Sequence, residues 1–294
     1  MRGPEKLGSF KKFLEKVKKT TGLEGPVERK YNFKEIAELE KPIENLVGQL
    51  KEAIDSGKYD TLIGDDASGR IPTLILRKVI LERFRKLHPD ATPEQEREAV
   101  KTFFIAGGYA KNNEELRKFF SEKLKNNVTK KVLFITEAIV SGSTVNRVIR
   151  LLEGEGISSD VAAVESPYVP NKESADIIAE IFKGLGLSQD AINKAVLNDA
   201  VENRPDYLRD TKAEIFSGDT SGRVPSIKEK YSLGGVEKDS RSSSTIAHAV
   251  PSFPSSNEGF SPASIEKTRK RVTDAREDVN LMASKILKEV WKEK

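Results

Sequence analysis

Through the middle of the chain, short apolar runs alternate with longer stretches in which apolar residues recur at helical spacing. Tyr59–Gly64 (YDTLIG), Lys101–Ala106 (KTFFIA), Lys131–Ile135 (KVLFI) and Asp160–Val164 (DVAAV) have the length and content of buried strands. Between them, residues 71–87, 114–124 and 145–153 carry the spacing of amphipathic helices, the last ended by Gly154 and Gly156. Residues 43–56 form an earlier helix, with Ile43, Leu46, Val47, Leu50 and Ile54 on one face and Gly57 at its end. Strands separated by helices in this rhythm predict an α/β fold: a parallel sheet with helices on both faces. Continuous apolar strands such as VLFI suit a sheet covered on both sides.

The flanks are less regular. Residues 5–20 predict a basic amphipathic helix, with Leu7, Phe10, Phe13, Leu14 and Val17 between lysines. Downstream, residues 175–185 and 189–197 read as helices and residues 214–216 as a strand. Residues 240–264 are rich in Ser and Pro and read as a mobile linker. Ser261 and Pro262 then open a last helix over 263–291. Its stripe is Val272, Ala275, Val279, Met282, Ile286 and Val290. Packing back on the domain and homodimerisation are the two uses open to it. The expected organisation is a basic N-terminal helix and connector (1–42), an α/β domain with appended helices (43–239), a linker (240–264) and a C-terminal amphipathic helix (265–294).

Composition narrows the chemistry. The 294 residues contain no cysteine, which excludes disulfides, thiolate nucleophiles and cysteine-bound zinc. The two histidines, His88 and His248, lack metal-ligand spacing, and His88 precedes a proline in a surface-like turn. A Ser-His-Asp mechanism therefore has no evident imidazole. Net charge is +4, and residues 1–30 hold nine basic against four acidic side chains, so the remainder is close to neutral. The basic end could touch nucleic acid or a membrane surface, yet no nucleic-acid-binding motif accompanies it. No apolar run is long enough to span a bilayer, and no signal peptide is evident, so the expected location is cytoplasmic.

Val132–Thr144 (VLFITEAIVSGST) carries the most chemistry. A buried strand ends, Glu137 emerges at its carboxyl edge, and Val140-Ser141-Gly142-Ser143-Thr144 leads into a helix. Open α/β sheets bind ligands at that edge. Glycine admits close approach of an anion, the first helical N–H groups lack partners, and Ser141, Ser143 and Thr144 add hydroxyl donors. These features make a phosphate cradle, although the lysine of a Walker A loop is missing. A second element, Asp65–Pro72, follows the first strand. Ser68 and Gly69 could present backbone amides, Arg70 could fork onto a diphosphate, and Asp65 and Asp66 could reach a metal ion or simply close a turn. Asp66–Pro72 (DASGRIP) recurs as Asp219–Pro225 (DTSGRVP), which suggests a reused anion-binding turn through Asp219, Ser221, Gly222 and Arg223.

The strand, acid, small-residue loop and helix resemble the signature of type I phosphoribosyltransferases over roughly residues 58–165. The resemblance implies that Glu137 meets the ribose hydroxyls of phosphoribosyl pyrophosphate and that Ser141, Gly142, Ser143 and Thr144 hold its 5-phosphate. It implies that Asp66, Ser68, Gly69 and Arg70 face the diphosphate, and that Mg²⁺ joins Asp65 and Asp66. It implies a mobile loop after the second strand, where Lys111 could close over the ligand. Two departures stand out. Thr136 occupies the first of the two usual acidic positions, and the phosphate loop has one glycine instead of two. The expected function is binding of phosphoribosyl pyrophosphate or a nucleotide, with transfer of the phosphoribosyl group to a base or amine. The alternatives are a non-catalytic nucleotide-binding regulator and a nucleic-acid-binding protein that uses its basic N-terminus.

Overall fold

A computed structural model describes residues 30–105, 113–125, 130–139, 142–166, 211–219, 236–238, 249–251 and 262–292, with backbone only at 66–68, 236–238, 249–251, 262 and 264. The chain divides into two compact units, Met1–Asn32 and Phe33–Lys294. The expected basic helix over 5–20, the helices over 175–185 and 189–197, and Lys111, Ser141, Ser221, Gly222 and Arg223 lie outside the described residues.

In the second unit, a short helix α1 (Lys34–Ala37) precedes α2 (Glu40–Asp55), whose buried residues are Ile43, Leu46, Val47, Leu50 and Ile54. There follow β1 (Tyr59–Asp65), α3 (Asp66–Leu87), α4 (Pro93–Ala99), β2 (Lys101–Ile105) and α5 (Asn113–Phe119), which runs into a π turn over Phe120–Leu124. Next come β3 (Lys131–Ala138), α6 (Ser143–Gly154), β4 (Ser159–Glu165) and β5 (Ile215–Asp219). Two three-residue strands, β6 (Val236–Lys238) and β7 (Ala249–Pro251), precede α7 (Pro262–Trp291).

The five longer strands form one all-parallel sheet in the order β2-β1-β3-β4-β5. This is the α/β architecture with helices on both faces that the sequence predicts. Helices α2, α3 and α7 pack together on one face. On the other, Leu116, Phe120 and Leu124 join Val145, Val148, Ile149 and Leu152 of α6 over Ile63, Phe134 and Val161 of the sheet. The division follows from chirality. Right-handed crossovers put the helix on one face when the chain steps from β1 to β2, and on the other when it returns to β3.

Several boundaries differ from expectation. Helix α3 begins at Asp66, five residues before Ile71, so Pro72 lies inside it. The poor helix formers of 65–70 read as a loop, but β1 passes into α3 with Asp65 as the N-cap and no connecting residues. Helix α4 lies where no helix is expected, although Thr92 and Gln95 form a capping box and Pro93 sits in the first turn. The stretch read as a linker contains β7, which pairs antiparallel with β6.

Helix α7 belongs to the same unit and docks on α2 and α3. Ala275, Val279, Met282, Ala283, Ile286 and Leu287 are buried, while Val272 and Val290 are half-buried. Buried Asp278 on the same face accepts a hydrogen bond from the Phe33 amide at 2.9 Å. At the far end, the Trp291 indole N–H donates to Asp55 at 3.1 Å, and Arg83 Nε donates to Asp55 at 2.6 Å. Partial desolvation pushes the Asp55 carboxyl up. The hydrogen bonds from Arg83 and Trp291 and the charges of Arg83 and Lys51 outweigh it and hold the group below its ordinary value. No helix among the described residues is long and apolar enough to cross a membrane.

Candidate functional site

In the order β2-β1-β3-β4-β5 the chain reverses direction between β1 and β3, and ligands of open α/β sheets bind outside the carboxyl ends at such a switch point. The two segments singled out in the sequence leave those two strands. Asp65 ends β1 and opens α3; Glu137 stands one residue from the end of β3, which leads to α6. They are neighbours because β1 and β3 pair directly, Gly64 opposite Ile135.

Close backbone packing fixes the β1 side. A Cβ on Gly69 would stand 2.5 Å from the Ile135 carbonyl oxygen, so the first turns of α3 lie flush against β3. The Thr73 hydroxyl donates to the Gly69 carbonyl at 2.6 Å, and a Cβ on Gly64 would meet that hydroxyl and the Phe104 ring. Gly69 is therefore a packing residue in a helix, and the expected amide loop over Ser68 and Gly69 is the opening turn of α3. Its first N–H groups still have no helical acceptors. Arg70 stacks its guanidinium on the Phe104 ring, 4.1 Å from the centroid. Phe104 pairs with Gly64, so Arg70 sits on the β2 side of β1, away from the β1/β3 gap.

On the β3 side, Gly142 is the N-cap of α6 with φ 68° and ψ −2°, a left-handed conformation that favours glycine. Its carbonyl accepts from the Asn146 amide at 2.8 Å, and the amides of residues 143–145 open the helix toward the carboxyl edge. Ser143 is exposed and Thr144 half-buried. Glu137 is buried, 9% exposed, and strand alternation puts it with Ile135 on the face that carries α3. Thr136 faces the α6 side, and its hydroxyl donates to the Ala138 carbonyl at 3.3 Å.

Asp219, which opens the repeated motif, ends β5, so both copies of the repeat begin at a carboxyl strand end. It is two strands from β3, roughly 10 Å along the edge. Its strand is clamped by α2: Asn45 and Gln49 donate to the carbonyls of Gly218 and Ser217, and a Cβ on Gly218 would run into the Pro42 carbonyl. Buried Glu165 lies between, paired with Ala138 and Asp219. The strand expected from the sequence ends at Val164, one residue short of Glu165; a carboxylate closing an apolar strand is the available signal.

Among the described residues, no three His, Cys, Asp or Glu side chains converge on a metal position. Magnesium held by one or two carboxylates and substrate phosphates does not require such a cage, and Asp65 fits that donor set.

The opposite, amino edge of the sheet holds a different ionic cluster. Asp160 is fully buried and accepts from Lys131 Nζ at 2.6 Å, the Tyr59 hydroxyl at 2.8 Å and the Glu214 amide at 2.9 Å, with Lys58 Nζ at 3.1 Å. Burial pushes the Asp160 carboxyl up, but these donors together bring it below its ordinary value. Burial and the bond to Asp160 push the Tyr59 phenol up. This cluster ties β1, β3, β4 and the approach to β5 together, remote from the switch point. The chain matches no protein-family model, no curated protein and no solved structure.

Proposed function

We propose that the carboxyl edge between β1 and β3 binds a phosphorylated ribose, as phosphoribosyl pyrophosphate or a nucleotide, in the manner of type I phosphoribosyltransferases. The observation that supports this most is the pairing of a left-handed Gly142, which caps α6, with a buried carboxylate, Glu137, near the end of β3 at the β1/β3 switch point. Amides of 142–144 would hold the 5-phosphate and Glu137 the ribose hydroxyls. Transfer would form a bond from a base or amine nitrogen to the anomeric carbon while the bond to diphosphate breaks and diphosphate leaves with the electron pair. No nucleophilic side chain is needed. Magnesium, when bound, would neutralise charge on the leaving diphosphate, with Asp65 and its chain neighbour Asp66 as the residues to hold it.

One observation favours a non-catalytic variant of the same site. The Thr136 hydroxyl is engaged by the Ala138 carbonyl and cannot replace the carboxylate of the two-acid signature. A nucleotide-binding regulator needs only the phosphate and ribose contacts. Calorimetric titration of phosphoribosyl pyrophosphate with Mg²⁺ tests both. Micromolar binding to the wild type, weakened at least tenfold by Glu137→Ala, supports the site; diphosphate release with nucleobases or amines then separates enzyme from regulator. Absence of heat and of any thermal shift for the wild type refutes the proposal.

A further inference from the structure

The far end of α3 carries a cavity remote from the switch point. It lies at the amino edge of the sheet, where α3 ends and α4 leads into β2. It encloses about 650 Å³, within the size range of small-molecule sites. Its described lining comes from one continuous stretch, residues 84–99, which shares nothing with the switch point. Phe84, Leu87, Pro89 and Ala99 form an apolar wall, and His88, Asp90 and Glu98 supply polar groups. Leu87 is 42% exposed, one of two large apolar side chains left open among the described residues.

The wall is preformed. The Ala91 amide donates to the His88 carbonyl at 3.1 Å and closes a turn through Pro89 and Asp90. Thr92 and Gln95 fix the start of α4 in their capping box. Arg85 forks onto Glu96 at 2.9 and 2.7 Å and ties α3 to α4. The His88 ring lies 4.6 Å from that of Phe84. A ligand seated here therefore orders little of the chain on binding.

The charge on this wall is negative. Neither lysine nor arginine is among the described lining residues. Of the nearby cations, Arg85 is engaged by Glu82 and Glu96, and Lys101 pairs with Glu98 at 2.8 Å. Glu98 is thus partly neutralised, and the exposed Asp90, which has no ion pair among the described residues, carries the uncompensated charge. The last carbonyls of α3 add the negative end of a helix dipole on the same side. An apolar wall beside a carboxylate matches an ammonium group on an apolar body and disfavours the anions proposed for the switch point.

We propose that the cavity between α3 and α4 binds a small organic cation, a protonated amine carried on an apolar or aromatic body. The body lies on Phe84 and Leu87, and the ammonium meets Asp90. The test is calorimetric titration of the full chain at pH 7 with tryptamine and with tryptophol, which carries a hydroxyl in place of the ammonium. Asp90→Asn, Leu87→Ala and Glu137→Ala accompany the wild type. Leu87 and Asp90 are exposed, so their variants should keep the wild-type unfolding midpoint. The expected result is saturable binding of tryptamine, about fivefold tighter than tryptophol, the upper range for an ion pair open to solvent. Asp90→Asn should remove that preference without changing tryptophol binding, Leu87→Ala should weaken both ligands, and Glu137→Ala should change neither. No saturable binding of tryptamine, equal binding of the two ligands by the wild type, or a preference that survives Asp90→Asn overturns the site. The peptide acetyl-Leu-Lys-Leu-amide binding more tightly than tryptamine through Asp90 and Leu87 overturns the small-molecule assignment.

Discussion

Replacing Gly69 with alanine sets two physical effects of opposite sign against each other at one backbone position. Gly69 lies inside α3, and its φ is not in the left-handed region, so alanine is conformationally permitted there. Helix propensity alone then predicts stabilisation of about 1 kcal/mol. The added methyl, however, would stand 2.5 Å from the Ile135 carbonyl oxygen, where ordinary contact begins near 3.4 Å. That oxygen is main chain in a central strand and has no rotamer to change. Helix and strand would have to separate by up to about 0.9 Å, the difference between those two distances. Overpacking of this kind costs about 1–3 kcal/mol, so the net effect is about 1 kcal/mol of destabilisation.

Gly48→Ala provides the control. Gly48 is interior to α2, and a Cβ there meets nothing within 4 Å, so only the propensity gain applies. Urea unfolding of both variants should move the midpoint in opposite directions with unchanged slope. In thermal unfolding, 1 kcal/mol corresponds to roughly 2–4 °C for a unit of this size. The Gly69 variant should also weaken switch-point binding, since the separation occurs beside Glu137, although residue 69 offers no side chain to a ligand. A Gly69→Ala midpoint raised as much as that of Gly48→Ala would refute the close approach of α3 to β3.

Asp160→Asn should cost about 3 kcal/mol at pH 7, because it leaves Lys131 and Lys58 beside a neutral group in a buried position. The Asp160 carboxyl lies below its ordinary value when folded. Its contribution is therefore complete above about pH 4 and is lost as the pH falls through the folded value. The gap between wild type and variant, measured by urea unfolding, should narrow in acid; an equal gap at pH 7 and pH 3 would contradict this account. Trp291→Phe removes the indole donor to Asp55 and should cost about 1 kcal/mol. The loss should vanish in an Asp55→Asn background if the hydrogen bond is its cause, so a double-mutant cycle checks it.

The strands were legible because each is a bounded apolar run, and all four expected in the middle of the chain occur within one to three residues of their anticipated ends. The apolar stripe of α2 was legible for a similar reason: its five buried residues repeat at one period. What could not be read locally depended on distant partners. The start of α3 is an instance, since Asp-Asp-Ala-Ser-Gly-Arg has loop composition and becomes helical where Gly64 and Gly69 let it lie on the sheet. Asp278 is another, a charge in an apolar stripe whose partner is 245 positions away in sequence. The carboxylate at Glu137 was recognisable from its place after an apolar strand. That Arg117 of α5 lines one pocket with Arg147 and Arg150 of α6 was not, because it needs both helices on the same face.

Strand order also decides which residues can act together. Glu137 lies on the α3 face of the sheet, whereas Gly142 and the first amides of α6 open on the other. A ligand that meets both must therefore straddle the sheet edge, and a switch point is where an edge can be straddled, because neighbouring connections leave in opposite directions. Arg70 is excluded from that gap by its stack on Phe104, and Asp219 stands two strands away. On the proposed function, a ligand at the switch point would draw its first contacts from β3 and α6, with α3 offering a surface and a helix N-terminus. Substitutions at Glu137 and Gly142 should accordingly weaken its binding at least tenfold, while Arg70→Gln should weaken it only modestly, an order that competitive titration of the three variants against wild type would reveal.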